Sequence, residues 1–452
     1  MNKELIRKYN VPGPRYTSYP TVPYWDKSPS IEEWKNLVKE SFDISNQSEG
    51  ISLYLHLPFC ESLCTFCGCN KRITVNHAVE EPYIDVLLKE WDLYLDVFDE
   101  KPILKEIHLG GRTPTFFSPE NLKKLLGGIH EKATVAEKPA YGFEAHPGNT
   151  KREHLQVLYD FGFRRFSLGI QSFNPKVQKI INRIQTFEQI EDCVKTAREI
   201  GYTSINFDFI YGLPFQTIDT IKDTIEKSNQ FKPERIAYYS YAHVPWVSAS
   251  QRAYSEVDLP SNEEKRALYE LGKQMFEDNG YIEIGMDHFA LKTDDLAVAF
   301  NSKKLHRNFM GYASEHTRLM IGLGVSSISD SWTCFGQNIK VVEEYKAAVL
   351  ADEFPIFRGH VLNSEDLLLR KHILDIMCHF ETEFDDEFWN LPESQMIKDK
   401  VQPMIDDQLM TWEGNKLEVF ENGRAFVRNI CMSFDLRLYR KKPDTKLFSQ
   451  TI

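Results

Sequence analysis

Four of the eight cysteines, Cys60, Cys64, Cys67 and Cys69, fall within ten residues. Such crowding does not resemble a secreted disulfide framework and points to metal ligation. A single zinc ion usually takes its four ligands as two separated pairs. The C-x3-C-x2-C spacing instead lets Cys60, Cys64 and Cys67 converge from one loop on three irons of a cubic [4Fe–4S] cluster, leaving the fourth iron open to an exogenous chelator. Cys69 could close the cluster as a fourth ligand, but it lies only two residues past Cys67, an awkward spacing for wrapping four irons. We expect it to serve a role other than ligand. Zinc and unligated thiols are the competing readings. Cys193, Cys334, Cys378 and Cys431 are dispersed and read as buried free thiols that pack as small hydrophobes.

Other polar residues gain meaning from their position. The loop Gly110-Gly111-Arg112-Thr113-Pro114 offers close backbone approach to a ligand, or simply a tight turn. Glu144, Gln171, Arg183 and Asp208 are individually unremarkable, and each could be a solvated rim residue. Together they offer acceptors for ribose hydroxyls and an amino group, and a guanidinium for a carboxylate. All of these except Arg183 lie at or just after the end of a strand candidate. The candidates are Ile51–Leu57, Glu106–Leu109, Tyr141–Ala145, Arg165–Ile170, Ser204–Ile210 and Arg235–Tyr241, each followed by a helical stretch.

Six strands alternating with helices imply an α/β chain with a parallel sheet, which right-handed crossovers curl into a barrel or partial barrel. Its functional loops follow the C-terminal strand ends. Helix signals support the alternation. Ser118-Pro119-Glu120 opens one helix with an N-cap and an N1 proline. Thr186 and Gln189 form a capping-box pair opening another, and Gly201 stops it. Phe187, Ile190, Val194, Ala197 and Ile200 line one face of that helix at core spacing. Before the first strand, Val11–Thr21 carries three prolines and reads as an extended arm, with Arg15, Tyr16 and Tyr19 suited to covering a site. The expected organisation is an arm over 1–35, a barrel over 36–361 and a mostly helical part over 362–452. A hairpin near Leu417–Phe420, turning at Asn422-Gly423, and a last helix complete it.

Length and composition are consistent with this plan. The 452 residues are ample for a large core, and 42% hydrophobic with 27% charged is ordinary for a globular chain. A net charge of −12 disfavours general nucleic-acid binding. No apolar run approaches the roughly 18 residues of a membrane span, and the polar N-terminus has no secretory h-region. The expectation is a cytoplasmic monomer with no nucleic-acid partner and no membrane span.

The cysteine motif after a first strand resembles the radical S-adenosylmethionine enzymes. Further segments bring the likeness closer: GPRYTSYPT, LYLHLPFC, CTFCGCN, GGxTPT, GIQSFN, FDFIYGLP, YAHVP, GMDHFA, LHRNF and RNICMSFD. Together, from Arg15 to Asp435, they resemble the oxygen-independent coproporphyrinogen III oxidases. That resemblance implies a partial (β/α)6 barrel, an N-terminal arm and a helical C-terminal part. It also implies one [4Fe–4S] cluster on Cys60, Cys64 and Cys67, and two S-adenosylmethionine molecules. Tyr54, Gly111, Glu144 and Ile328 match positions around the first of these. Phe66, Arg112, Thr113, Gln171, Arg183, Asp208 and Ala242 match positions around the second. His56 matches a motif histidine near the cluster, and Tyr54, His56 and Arg183 are the implied catalytic candidates.

The implied reaction is oxidative decarboxylation of two propionates of coproporphyrinogen III to vinyl groups, giving protoporphyrinogen IX for haem synthesis. A 5′-deoxyadenosyl radical takes the β-hydrogens, and an electron donor and an acceptor remain to be identified. Arg15, Lys71, Arg72, Arg183 and Arg307 are candidate partners for the substrate carboxylates. Two residues depart from the family pattern: Arg112 replaces a third glycine, and Met310 stands where glutamine is common. If φ is positive at Arg112, a side chain there strains the backbone, and a guanidinium beside a sulfonium is repelled. Both effects would weaken binding of the second S-adenosylmethionine. The alternative functions are a related radical enzyme acting on haem, and a haem-binding chaperone. Cys69 argues against the chaperone, and the GPRYTSYP arm against both.

Overall fold

The computed structural model describes residues 3–68, 70–246, 248–443 and 447–451. Its centre is a 12-stranded sheet. In chain order the strands are β1 (Ile51–Leu57), β2 (Ile103–Gly111), β3 (Thr134–Ala145), β4 (Arg165–Gln171), β5 (Ser204–Tyr211), β6 (Arg235–Ser240), β7 (Tyr281–Gly285), β8 (His288–Leu291), β9 (Leu319–Leu323), β10 (Ile328–Asp330), β11 (Cys334–Asn338) and β12 (Ile356–Val361). The spatial order is β12-β11-β10-β9-β1-β2-β3-β4-β5-β6-β8-β7. All six strands expected from the sequence are present and pair in parallel, β1 through β6. A further parallel strand, β9, pairs with the free side of β1 and was not foreseen. Antiparallel strands then extend both edges. The sheet is open, a partial barrel with antiparallel extensions.

The two helices whose caps were read, at Ser118 and Thr186, form where those signals place them. Helix α1 is Lys3–Tyr9, and α2 is Ile31–Ser45, capped by the Ser30 side chain. Helix α3 is Glu80–Leu95. In α4 (Pro119–Glu131) the Ser118 hydroxyl accepts from the Asn121 amide, satisfying one of the free N–H groups of the first turn. In α6 (Phe187–Ile200), which follows α5 (Arg152–Asp160), Thr186 and Gln189 form the capping box and Gly201 ends the helix at φ 116°. Ile190, Val194 and Ala197 are buried on its inner face. The four dispersed cysteines are buried and free.

The arm is extended only in part. Its first described turns form α1, and residue 35 lies inside α2. Tyr16 and Tyr19 are 1% and 2% exposed and belong to a second hydrophobic core with the C-terminal elements. Those elements include α7 (Ser364–His379), α8 (Ser394–Asp406) and α9 (Val427–Phe434). The C-terminal hairpin turns at Gly414-Asn415, between Met410–Glu413 and Lys416–Val419. Asn422-Gly423 lies in a following 3-10 segment instead. Gly423 is required by packing, since a Cβ there would lie 2.0 Å from the Leu409 carbonyl oxygen.

Candidate active site

Parallel pairing brings the strand ends to one rim. Tyr54, His56 and Leu57 of β1 stand opposite His108, Gly110 and Gly111 of β2. The cysteine loop begins as β1 ends and is tied down on both sides. Cys60 and Phe59 pair with Arg72–Ile73, the Thr65 amide donates to the Ile181 carbonyl (3.0 Å), and Asn182 Nδ2 donates to the Leu63 carbonyl (2.8 Å). The loop is therefore held against the segment that carries Arg183.

Cys60, Cys64 and Cys67 line one cavity, and each sulfur has a hydrogen-bonding partner. Thr113 Oγ1 lies 3.0 Å from Cys60 Sγ, Arg183 Nη1 donates to Cys64 Sγ at 3.9 Å, and Arg112 Nη1 donates to Cys67 Sγ. Burial pushes the Cys60 thiol up, while Thr113 and Arg112 pull it down. Among the described residues no group of three His, Cys, Asp or Glu side chains is placed to hold a single metal ion. Cys69 lies outside the described residues.

The residues expected around two ligands fall into neighbouring cavities. Phe66, Arg112, Thr113, Gln171, Arg183 and Asp208 share the cysteine cavity. Tyr54, His56 and Ile328 line a second one, and Gly111 and Glu144 belong to both. Ala242 is separate: it lines a cleft beside His243 and Lys265. Met310 stands on the second cavity and on a third, which also meets Phe66 and Asp208.

The polar groups are pre-ordered. Asp208 accepts from Ser167 Oγ and Asn206 Nδ2, both at 2.7 Å, while burial pushes its carboxyl up to about 6. Arg183 grips the Gly169 carbonyl through Nε and Nη2 at 3.1 and 2.8 Å. His56 lies between Tyr54 Oη (3.2 Å) and the Asn70 carbonyl (3.3 Å), and burial lowers its pKa to about 4, so it is neutral near pH 7. Gln171 is 7% exposed, adopts φ 62°, and its Oε1 has no hydrogen-bond partner in the protein. A buried acceptor without a partner is costly, and its place on the cavity wall fits a ligand that donates to it. The thiol trio, its donors and this acceptor suit a cluster with an organic chelator.

The loop geometry corrects one expectation. Positive φ occurs at Gly111 (φ 103°), whose Cβ would lie 2.9 Å from His56 Nδ1. Arg112 has no positive φ, so the expected backbone strain is absent. The candidate carboxylate partners are mostly committed elsewhere. Arg15 pairs with Asp287, Lys71 donates to the Cys67 carbonyl (3.0 Å), and Arg72 pairs with Glu343 (2.8 Å). Arg307 is 4% exposed, with Nε and Nη1 lacking hydrogen-bond partners in the protein.

The sequence reading missed His108, which stacks on Tyr54 with 6.1 Å between ring centroids and lies 3.8 Å from Glu144. Its signal was a polar ring alternating with Glu106 along the strand, two residues before the glycine-rich loop. It also missed Ser167 and Asn206, which show only as alternate polar residues within β4 and β5.

Comparison with known proteins gives this geometry its context. The radical SAM superfamily model matches residues 54–227. Over 99% of both chains, the sequence is 36% identical to an oxygen-independent coproporphyrinogen III oxidase of Helicobacter pylori strain J99. The corresponding enzyme of Escherichia coli K12 is 35% identical over 99% of this chain and 98% of its own. The chain belongs to the oxygen-independent coproporphyrinogen III oxidases. The solved structure of the Escherichia coli family member, described as a radical SAM enzyme, superposes with a TM-score of 0.89 at 33% identity. It covers 96% of this chain and 98% of that one. The family accordingly carries both the open α/β sheet and the helical C-terminal elements.

Proposed function

We propose that the chain converts coproporphyrinogen III to protoporphyrinogen IX without oxygen, by oxidative decarboxylation of two propionates to vinyl groups, each losing a β-hydrogen to the adenosyl radical, CO2, and one electron to an external acceptor. The observation that carries this is three cysteines from one loop lining a cavity with Gly111, Glu144, Gln171, Arg183 and Asp208. Cys60, Cys64 and Cys67 would hold one [4Fe–4S] cluster. Tyr54, Gly111, Glu144 and Ile328 would surround one S-adenosylmethionine. Phe66, Arg112, Thr113, Gln171, Arg183 and Asp208 would surround a second, whereas Ala242, matched to the same ligand, lines a separate cleft. When bound, the cluster and S-adenosylmethionine supply one-electron chemistry able to remove an unactivated propionate β-hydrogen, for which no side-chain base suffices.

The chain's own residues bind, orient and exclude water. Asp208, fixed by Ser167 and Asn206, presents acceptor capacity to a ribose or an amino group. Gln171 Oε1 takes a donor from the ligand. His56, held neutral by burial, orients Tyr54 through its ring nitrogen. Arg307, with two buried N–H groups lacking hydrogen-bond partners, is our candidate for a substrate propionate. An oxygen-sensitive cluster and buried free thiols suit the cytoplasm. No described helix is long and apolar enough to cross a membrane. The electron donor and acceptor would be separate redox partners.

The test is anaerobic incubation of the reconstituted protein with S-adenosylmethionine, a low-potential reductant and coproporphyrinogen III, then pigment analysis. Protoporphyrin is expected. Haem consumption, or stable haem binding without cleavage of S-adenosylmethionine, would favour a different member of the superfamily.

A further inference from the structure

The three cysteine sulfurs are not equivalent. Cys60 is next to a neutral hydroxyl, and Cys64 meets a guanidinium only at 3.9 Å, from an arginine already bound to the Gly169 carbonyl. Cys67 is the most open of the three, and Arg112 Nη1 donates to its sulfur from the β2 loop. The preceding residue explains how a long cationic side chain is accommodated there. Gly111 takes the positive φ and the close approach to His56, which leaves Arg112 free of positive φ and able to turn toward the cysteine loop.

An iron–sulfur cluster's potential depends on its net charge, on hydrogen bonds to its sulfurs and on solvent exposure. A fixed positive charge and an N–H donor at one ligand sulfur stabilise whichever oxidation state is more negative. Reduction adds one electron, drawn from an external low-potential one-electron donor, while no bond or proton at Arg112 changes. The reduced state is the more negative.

We propose that Arg112 raises the reduction potential of the cluster by hydrogen bonding and positive charge at Cys67 Sγ. The inference rests on the cluster reading above. It makes Arg112 a tuning residue rather than a catalytic one. The guanidinium meets a thiolate, so the repulsion expected beside a sulfonium is compensated by an anionic partner. The consequence is a cluster easier to reduce and a weaker electron donor.

Potentiometric titration of the reconstituted full chain, followed by electron paramagnetic resonance, reads this directly. Arg112→Lys keeps the charge, Arg112→Gln keeps a donor, and Arg112→Gly removes both. The expected order of potential is natural protein highest, Arg112→Lys and Arg112→Gln lower, Arg112→Gly lowest, at equal iron and sulfide content. If Arg112→Gly does not hold a cluster, Arg112→Lys and Arg112→Gln carry the same comparison against the natural protein. Equal potentials across the series, or a higher potential in the variants, would overturn the tuning role. Full cluster retention in Cys67→Ala would instead overturn the cluster assignment on which it rests.

Discussion

At the scale of single residues, the site is built from groups whose positions leave little choice of side chain. Gly111 is the clearest. It combines φ 103° with a Cβ position 2.9 Å from the His56 ring. We predict that Gly111→Ala costs about 1–3 kcal/mol of local strain and pushes His56 away from Tyr54. Calorimetry should show weakened S-adenosylmethionine binding with the cluster retained; unchanged affinity would refute the close approach. For the thiols, Cys60→Ala, Cys64→Ala and Cys67→Ala should each abolish cluster assembly by iron and sulfide count, whereas Cys69→Ala should not. Cluster loss in Cys69→Ala equal to that in Cys64→Ala would contradict the assignment. Much of this was legible in the sequence, because thiol spacing and glycine-rich loops are local signals. His108 was not, since its meaning depends on the register that sets it against Tyr54.

At the scale of elements, the first six strands could be read because each alternates with a helical stretch, two of them opened by side-chain caps at Ser118 and Thr186. Strand β9 could not. Leu319–Leu323 is buried at every position, and a short continuous apolar run has no period to separate a strand from a buried helical segment. The hairpin was misplaced for a related reason: Gly414-Asn415 and Asn422-Gly423 are both turn dipeptides, and only pairing with Met410–Glu413 selects the first.

Beyond β9, the loop at Gly324 is held by Glu90 of α3. This carboxylate, 0% exposed, accepts from the Gly324 amide (2.8 Å), Asn338 Nδ2 (2.6 Å) and the Tyr345 hydroxyl. Burial raises its pKa from 4.5 to about 7, against these hydrogen bonds. Because the folded state holds this proton more tightly than the unfolded one, the contribution is fully present below about pH 4.5. It is lost as pH rises through about 7. The effect is of the order of 3 kcal/mol. Glu90→Gln should flatten the denaturant-stability profile over that window relative to the natural protein. Parallel profiles for the two proteins would contradict it.

At the scale of the whole molecule, the two chain ends are laced together. The Gly13 amide donates to the Ser449 carbonyl (3.0 Å) and the Thr451 amide to the Val11 carbonyl (2.8 Å). Arg428 donates to the Pro14 and Gln450 carbonyls at 2.8 and 2.7 Å. Tyr16 donates to Asp435 at 3.0 Å inside the second core. Residues Tyr16 and Tyr19, expected to cover a cleft, are structural anchors of the C-terminal elements. Their aromatic character was legible, but the core they join is built from residues from Ile284 onward, and the hydrogen-bond partner of Tyr16 is Asp435. Deleting residues 1–20 should therefore lower thermal stability and speed hydrogen exchange in α7 and α9, with iron content preserved. Tyr16→Ala alone should cost about 3–5 kcal/mol. Unchanged exchange in both helices would show that the arm is dispensable to that core.

The most direct test of the account is a stoichiometry. Coproporphyrinogen III labelled at the propionate carboxyl carbons is turned over anaerobically by the reconstituted chain, and labelled CO2 is counted against protoporphyrinogen IX. We predict two CO2 per product, dependent on S-adenosylmethionine and absent in Cys64→Ala. An intact cluster with S-adenosylmethionine cleavage but no release of label would contradict the assigned reaction.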